Sequence, residues 1–136
     1  MRLLCLTTVL LVGILSVSAC DTKDSRPREL ICSGKASLGS HDAVSDRFVL
    51  RIAGDSLEIR GAAGTLATFD GTVYKICLNS QSEVYFEYGT LSCSGSKTMR
   101  AGKLDKVTGE LALERFDLGQ SFTGTYNCKS AGRLLE

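Results

Sequence analysis

Tryptophan is absent from this chain of 136 residues, histidine and proline each occur once, and methionine occurs twice. The lone His41 and the lack of any C-x-x-C pair remove the common zinc ligand sets, which need four donors at characteristic spacings. With Pro27 as its only proline, the chain has no proline-rich linker. Net charge is also scarce. Arg2 is the only charged residue before Cys20, and without it 15 basic and 15 acidic residues remain. A neutral domain offers no electrostatic footprint for nucleic acid or for anionic headgroups. No internal repeat is visible, and no window longer than about ten residues keeps a helical period. The length leaves room for one domain.

The N-terminus carries the strongest local signal. Met1-Arg2 is a short positive start, Leu3 to Val17 is apolar apart from a few Ser and Thr, and Val17-Ser18-Ala19-Cys20 follows with small residues. This is the grammar of a secretory signal peptide. The alternative is an uncleaved anchor, since Leu3 to Ala19 is 17 residues, the lower edge of a helical span. The segment VSAC resembles the lipobox of bacterial lipoproteins. That resemblance implies diacylglyceryl transfer to the Cys20 thiol and cleavage after Ala19. Residues 1–19 are then the signal peptide, 20–29 a lipidated polar tether and 30–136 a β domain. It also implies a periplasm-facing envelope protein whose membrane partner is bound through lipid on Cys20. Asp21 resembles the residue that retains enteric lipoproteins in the inner membrane.

Cysteine parity agrees with this. Cys5 leaves with the signal, Cys20 takes lipid, and Cys32, Cys77, Cys93 and Cys128 remain as an even set for two disulfides. Each buried methylene of an acyl chain contributes about 0.8 kcal/mol, and two or more chains anchor stably where one does not.

Beyond the tether the pattern is β. Phe48, Leu50 and Ile52 alternate with polar positions, Gly54-Asp55 makes a turn, and Leu57-Glu58-Ile59-Arg60 alternates again. Asp70-Gly71 is a favoured hairpin pair, expected to join a strand Leu66–Phe69 to a strand Thr72–Leu78. Val84, Phe86 and Tyr88 alternate with Glu83, Tyr85 and Glu87. Leu111 and Leu113 alternate with Glu110, Ala112 and Glu114. Phe122, Gly124, Tyr126 and Cys128 share one face. Gly39 to Asp46 has room for a single helical turn. Eight to ten short strands at hairpin spacing predict an all-β fold, an antiparallel meander closing as a small barrel or sandwich.

Lys103 to Cys128 (KLDKVTGELALERF…FTGTYNC) resembles the endings of small exported proteobacterial proteins without an established function. The resemblance implies β class and export and assigns no catalytic residue. Closure of a meander makes first and last strands neighbours, which favours Cys32–Cys128 and leaves Cys77–Cys93. In simple hairpin register the latter two flank one strand about 10 Å apart, whereas bridged Cα atoms lie about 5.5 Å apart. A bulge or a sheet-to-sheet crossing is required.

Several constellations touch on catalysis. Ser40-His41-Asp42 holds triad residue types, but contiguous residues point apart, whereas a triad converges on one point. Ser94-Gly95-Ser96-Lys97 matches S-x-x-K but lacks the S-D-N and K-T-G elements that accompany it. Gly95 to Lys103 has the wrong spacing for a P-loop, and Leu104 replaces the magnesium-binding hydroxyl. Glu83/Glu87 and Glu110/Glu114 are acid–base pairs in principle, yet at strand spacing they read as a solvated outer face. Lys97, Arg100, Lys103 and Lys106 form a basic stretch interrupted by Asp105.

The expected function is therefore a non-catalytic envelope lipoprotein, without cofactor or metal, whose disulfide-stapled β domain binds a protein or a ligand. The alternatives are an inhibitor of an envelope hydrolase such as lysozyme and a glycan- or peptide-cleaving hydrolase using the acidic pairs.

Overall fold

The computed structural model describes residues 26–95, 100–117 and 120–131. Cys20 and the expected signal peptide lie outside the described residues. Eight antiparallel strands, β1 (Arg28–Leu38), β2 (Val44–Ala53), β3 (Ser56–Arg60), β4 (Val73–Asn79), β5 (Glu83–Tyr88), β6 (Arg100–Asp105), β7 (Glu110–Asp117) and β8 (Gln120–Ser130), follow one another around a closed barrel. Each pairs with its sequence neighbours, and β8 closes onto β1 from Leu30↔Ser130 to Leu38↔Phe122. Closure gives every strand two neighbours, so no strand is left at an open edge among the described residues. Arg28 and Glu29, expected in the tether, already pair with Ile52 and Arg51.

Strict alternation fills the interior. Phe48, Leu50, Leu57, Ile59, Tyr74, Phe86, Leu113, Phe122 and Tyr126 are all at most 2% exposed. Full burial of such a side chain contributes roughly 1.5–3 kcal/mol. Aromatic rings meet edge-on or tilted across the interior, Phe48 with Tyr126 at 4.9 Å and Tyr74 with Phe86 at 5.3 Å. Glycines make the space for them. A Cβ on Gly102 would lie 2.2 Å from the Phe86 ring, and one on Gly34 would lie 2.1 Å from the Thr125 carbonyl oxygen, where β1 presses onto β8. The interior is thus a packed core.

Two expectations are corrected. Leu66–Phe69 is no strand; Gly64–Phe69 is a 3₁₀ helix, so Asp70-Gly71 leads from that helix into β4 and joins no hairpin. Residues three apart eclipse in a 3₁₀ helix, and Leu66 and Phe69 both insert into the end of the barrel, 0% and 1% exposed. Gly39 to Asp46 holds a turn and the start of β2 in place of a helical turn.

Both disulfides form as expected. Cys32 and Cys128 are direct partners across β1 and β8, with a Cα–Cα distance of 4.0 Å. Cys77 and Cys93 stand 5.2 Å apart. Ile76 pairs with Phe86 and Leu78 with Tyr85, so Cys77 is the extra residue of a β-bulge. Cys93 lies in the β5–β6 connection and not on a strand, with a positive φ of 63°.

The two ends of the barrel differ. One carries short turns: β2 to β3, β4 to β5 and β6 to β7. Its turns are knitted together by Lys106 N–H donating to the Ser82 carbonyl (2.7 Å) and Lys106 Nζ donating to Asn79 Oδ1 (2.6 Å). The chain enters β1 at this same end, since Arg28 pairs with Ile52 beside the β2–β3 turn. The other end carries the β1–β2 turn, the 3₁₀ helix and the β5–β6 connection.

Candidate binding site

At the loop end, the inward-facing row of the barrel changes chemistry. On β6 the row runs Leu104, Gly102, Arg100, and on β7 it runs Leu111, Leu113, Arg115. Arg100 and Arg115 are direct cross-strand partners, and Tyr88 pairs with Arg100 from the other side. The Arg100 guanidinium sits 5.7 Å from the Phe69 ring centre and 5.2 Å from that of Tyr88. Tyr88 in turn packs edge-on to Tyr74 at 5.8 Å. The Arg100 guanidinium therefore stands between two aromatic rings at the mouth, with Arg115 as its cross-strand partner.

Tyr74 lies beneath them. Its ring is 1% exposed and its Oη makes no hydrogen bond. Burial pushes its pKa far above the ordinary value, against the opposing pull of the Arg100 and Arg115 charges, so the phenol keeps its proton. Tyr126 is also buried with an unbonded hydroxyl, but the charge acting on it is that of Asp46. Among the described residues, Tyr74 is the buried hydroxyl that lies beside cations.

The disulfide loop stands on the barrel wall beside this mouth. Glu87 is 7% exposed, although its place on the outer face suggested solvation. The β5–β6 connection covers it: Cys93 N–H donates to Glu87 Oε2 at 2.8 Å, and the Tyr85 hydroxyl donates to Oε1 at 2.6 Å. That bond to Glu87, with a smaller contribution from burial, raises the Tyr85 pKa to about 12. This carboxylate is a brace for the loop.

The remaining sequence candidates do not converge. Ser40, His41 and Asp42 are all exposed on the β1–β2 turn. Ser94 Oγ donates to the Leu91 carbonyl, while Ser96 and Lys97 lie outside the described residues. Glu83 forms an ion pair with Lys103 at 2.6 Å on the outer wall. Glu110 and Glu114 are exposed on β7. The basic stretch separates, Arg100 into the mouth, Lys103 onto the wall and Lys106 at the short-turn end. Among the described residues no three His, Cys, Asp or Glu side chains gather as a metal site. An open groove of about 550 Å³ runs over β1 and β8, lined by hydroxyls such as Ser33, Ser37, Thr123 and Thr125. Tyr126, whose buried hydroxyl also makes no hydrogen bond, lines it as well.

Comparison with known proteins found no matching family model, no similar curated protein and no similar solved structure. The reading of the site rests on its own chemistry. Arg115, Tyr74 and Phe69 were not singled out from the sequence, and Arg100 only as part of a basic stretch. The available signal was parity: in Leu111-Ala112-Leu113-Glu114-Arg115 the arginine continues the apolar face.

Proposed function

We propose that this chain is a cell-envelope lipoprotein, anchored through Cys20, whose barrel is a non-catalytic binding module presenting its loop end to a protein partner. The observation that carries this is the unequal distribution of exposed apolar side chains. Of the exposed large apolar side chains among the described residues, Val44, Val73, Tyr88, Leu91 and Phe116, between 43% and 59% exposed, belong to the loop end or to the connection leaving it, and Leu78 and Val107 to the short-turn end. Clustered exposed apolar groups mark interaction surfaces, and aromatic residues and arginine are enriched in them.

The direction of the chain supports the same reading. β1 begins at the short-turn end, so a tether running back from Arg28 to a lipid on Cys20 brings that end to the bilayer. The seven residues from 21 to 27, before β1 begins, reach at most about 25 Å when extended. The loop end then points away from the membrane. The packed interior supports recognition at the surface over a ligand held within the barrel.

Photo-crosslinking in intact cells tests this. A photoreactive residue replacing Leu91 should yield one discrete protein adduct, and one replacing Val107, exposed at the short-turn end, should not. The same adduct from both positions, or none from Leu91, contradicts the proposal.

A further inference from the structure

We infer that the Cys77–Cys93 bridge is a thiol–disulfide exchange site, opened by a dithiol reductant, and that its opening withdraws Leu91 from the binding surface. The exchange stands on the geometry of the bridge; its consequence for binding rests on the reading of the loop end as that surface.

The two bridges are placed differently. Cys32 and Cys128 are 0% and 7% exposed and join neighbouring strands of the closed wall. Cys93 is exposed and Cys77 half-buried, and their bond joins the bulge on β4 to the β5–β6 connection. Exchange requires a thiolate to reach one of the two sulfurs, so access decides which bridge reacts. Cys93 offers that access, and Cys32 and Cys128 do not.

The chain around Cys93 is set to part from the wall once the bond is gone. Cys93 holds a positive φ of 63°, a conformation that disfavours a residue carrying a Cβ. It fastens the connection to the wall twice, through its sulfur and through its N–H to Glu87 Oε2. The bonds from Ser92 N–H to the Gly89 carbonyl and from Ser94 N–H to the Leu91 carbonyl stay within the connection. Beneath it lies Glu87, a carboxylate only 7% exposed, and withholding water from a charge is costly. Opening the bridge lets the backbone of Cys93 relax and Glu87 hydrate. Leu91, 59% exposed and two residues before Cys93, moves with the connection.

The reaction balances as an ordinary exchange. A thiolate of the dithiol attacks the Cys93 sulfur, and the Cys77 sulfur leaves and takes a proton. The second thiol of the reductant then attacks the mixed disulfide and releases Cys93 as a thiol. Two electrons pass to the bridge, and the dithiol becomes a disulfide.

The test exposes the folded mature chain to graded dithiothreitol without denaturant, caps free thiols with iodoacetamide and maps them by peptide mass. Cys77 and Cys93 should be capped together, at a dithiothreitol concentration on the order of tenfold below that which opens Cys32–Cys128. Bridges that open together, Cys32–Cys128 opening first, or neither opening before urea unfolds the barrel overturns the exchange site. The second arm is photo-crosslinking in cells from position 91 in the Cys77→Ser/Cys93→Ser background, with the intact Cys32–Cys128 bridge confirming the fold. The adduct should fall on the order of tenfold; an undiminished adduct overturns the coupling to binding. The arms keep the two readings apart. Selective capping with no adduct even in the parent removes the binding surface and leaves the exchange site, whereas unselective capping with a strong parent adduct does the reverse.

Discussion

Phe86 and Gly102 are direct partners across β5 and β6, and the ring lies over the glycine so closely that a Cβ there would sit 2.2 Å from it. The Leu113 side chain closes the same space from β7, 2.8 Å from that position. Tyr74 packs edge-on with the same ring at 5.3 Å, which restricts its movement further. Gly102→Ala should therefore destabilise the barrel by about 1–3 kcal/mol, the usual cost of overpacking a tight core. Urea unfolding measures it. A variant as stable as the parent would show that the interior is looser than described.

The two disulfides should differ in worth. Cys32–Cys128 closes a separation of 96 residues and Cys77–Cys93 one of 16. On chain entropy these correspond to about 4.7 and about 3 kcal/mol. The double variant Cys32→Ser/Cys128→Ser should lose the more stability. Cys77→Ser/Cys93→Ser should instead raise hydrogen exchange selectively at the Cys93 amide, whose acceptor is Glu87. Equal losses, or exchange at Cys93 unchanged, would count against this division.

Tyr74, Tyr85 and Tyr126 should titrate late. Burial raises the pKa values of Tyr74 and Tyr126, and the bond to Glu87 takes Tyr85 to about 12. A folded-state pKa raised above the unfolded value of about 10 favours the protonated native state. The associated stability is complete below pH 10 and is lost as pH rises through 12. Spectrophotometric titration at pH 11 should show less phenolate in the folded protein than in the same chain unfolded. Tyr85→Phe should narrow that difference. Coincident titration curves would contradict the described burial.

Much of the barrel was legible because strand periodicity is a local property. Phe48-Val49-Leu50-Arg51-Ile52 and Val84-Tyr85-Phe86-Glu87-Tyr88 alternate cleanly, and closure of the meander placed Cys32 beside Cys128. Leu66 to Phe69 was misread because a run of four residues is too short to show a period of its own. Its conformation is decided by the open barrel end that Leu66 and Phe69 fill. The bulge at Cys77 was anticipated only as one of two ways to bring Cys77 to Cys93, since one extra residue changes facing without changing composition. Glu87 sits on the outer face as its parity requires, but its burial comes from a loop fixed by a bond to Cys77. The mouth was the least legible part. Tyr74 meets Arg100 and Arg115 only through closure of the barrel, and no spacing within the sequence announces that meeting.

The orientation of the barrel, and with it the role of the loop end, depends on what is attached to Cys20. The most direct measurement is the intact mass of the mature protein extracted from native membranes, before and after reduction. The expected mass begins at Cys20 with a diacylglyceryl group, and reduction adds two hydrogens for each of the two bridges. A chain beginning at Met1, or one beginning at an unmodified Cys20, would contradict a lipid-anchored barrel.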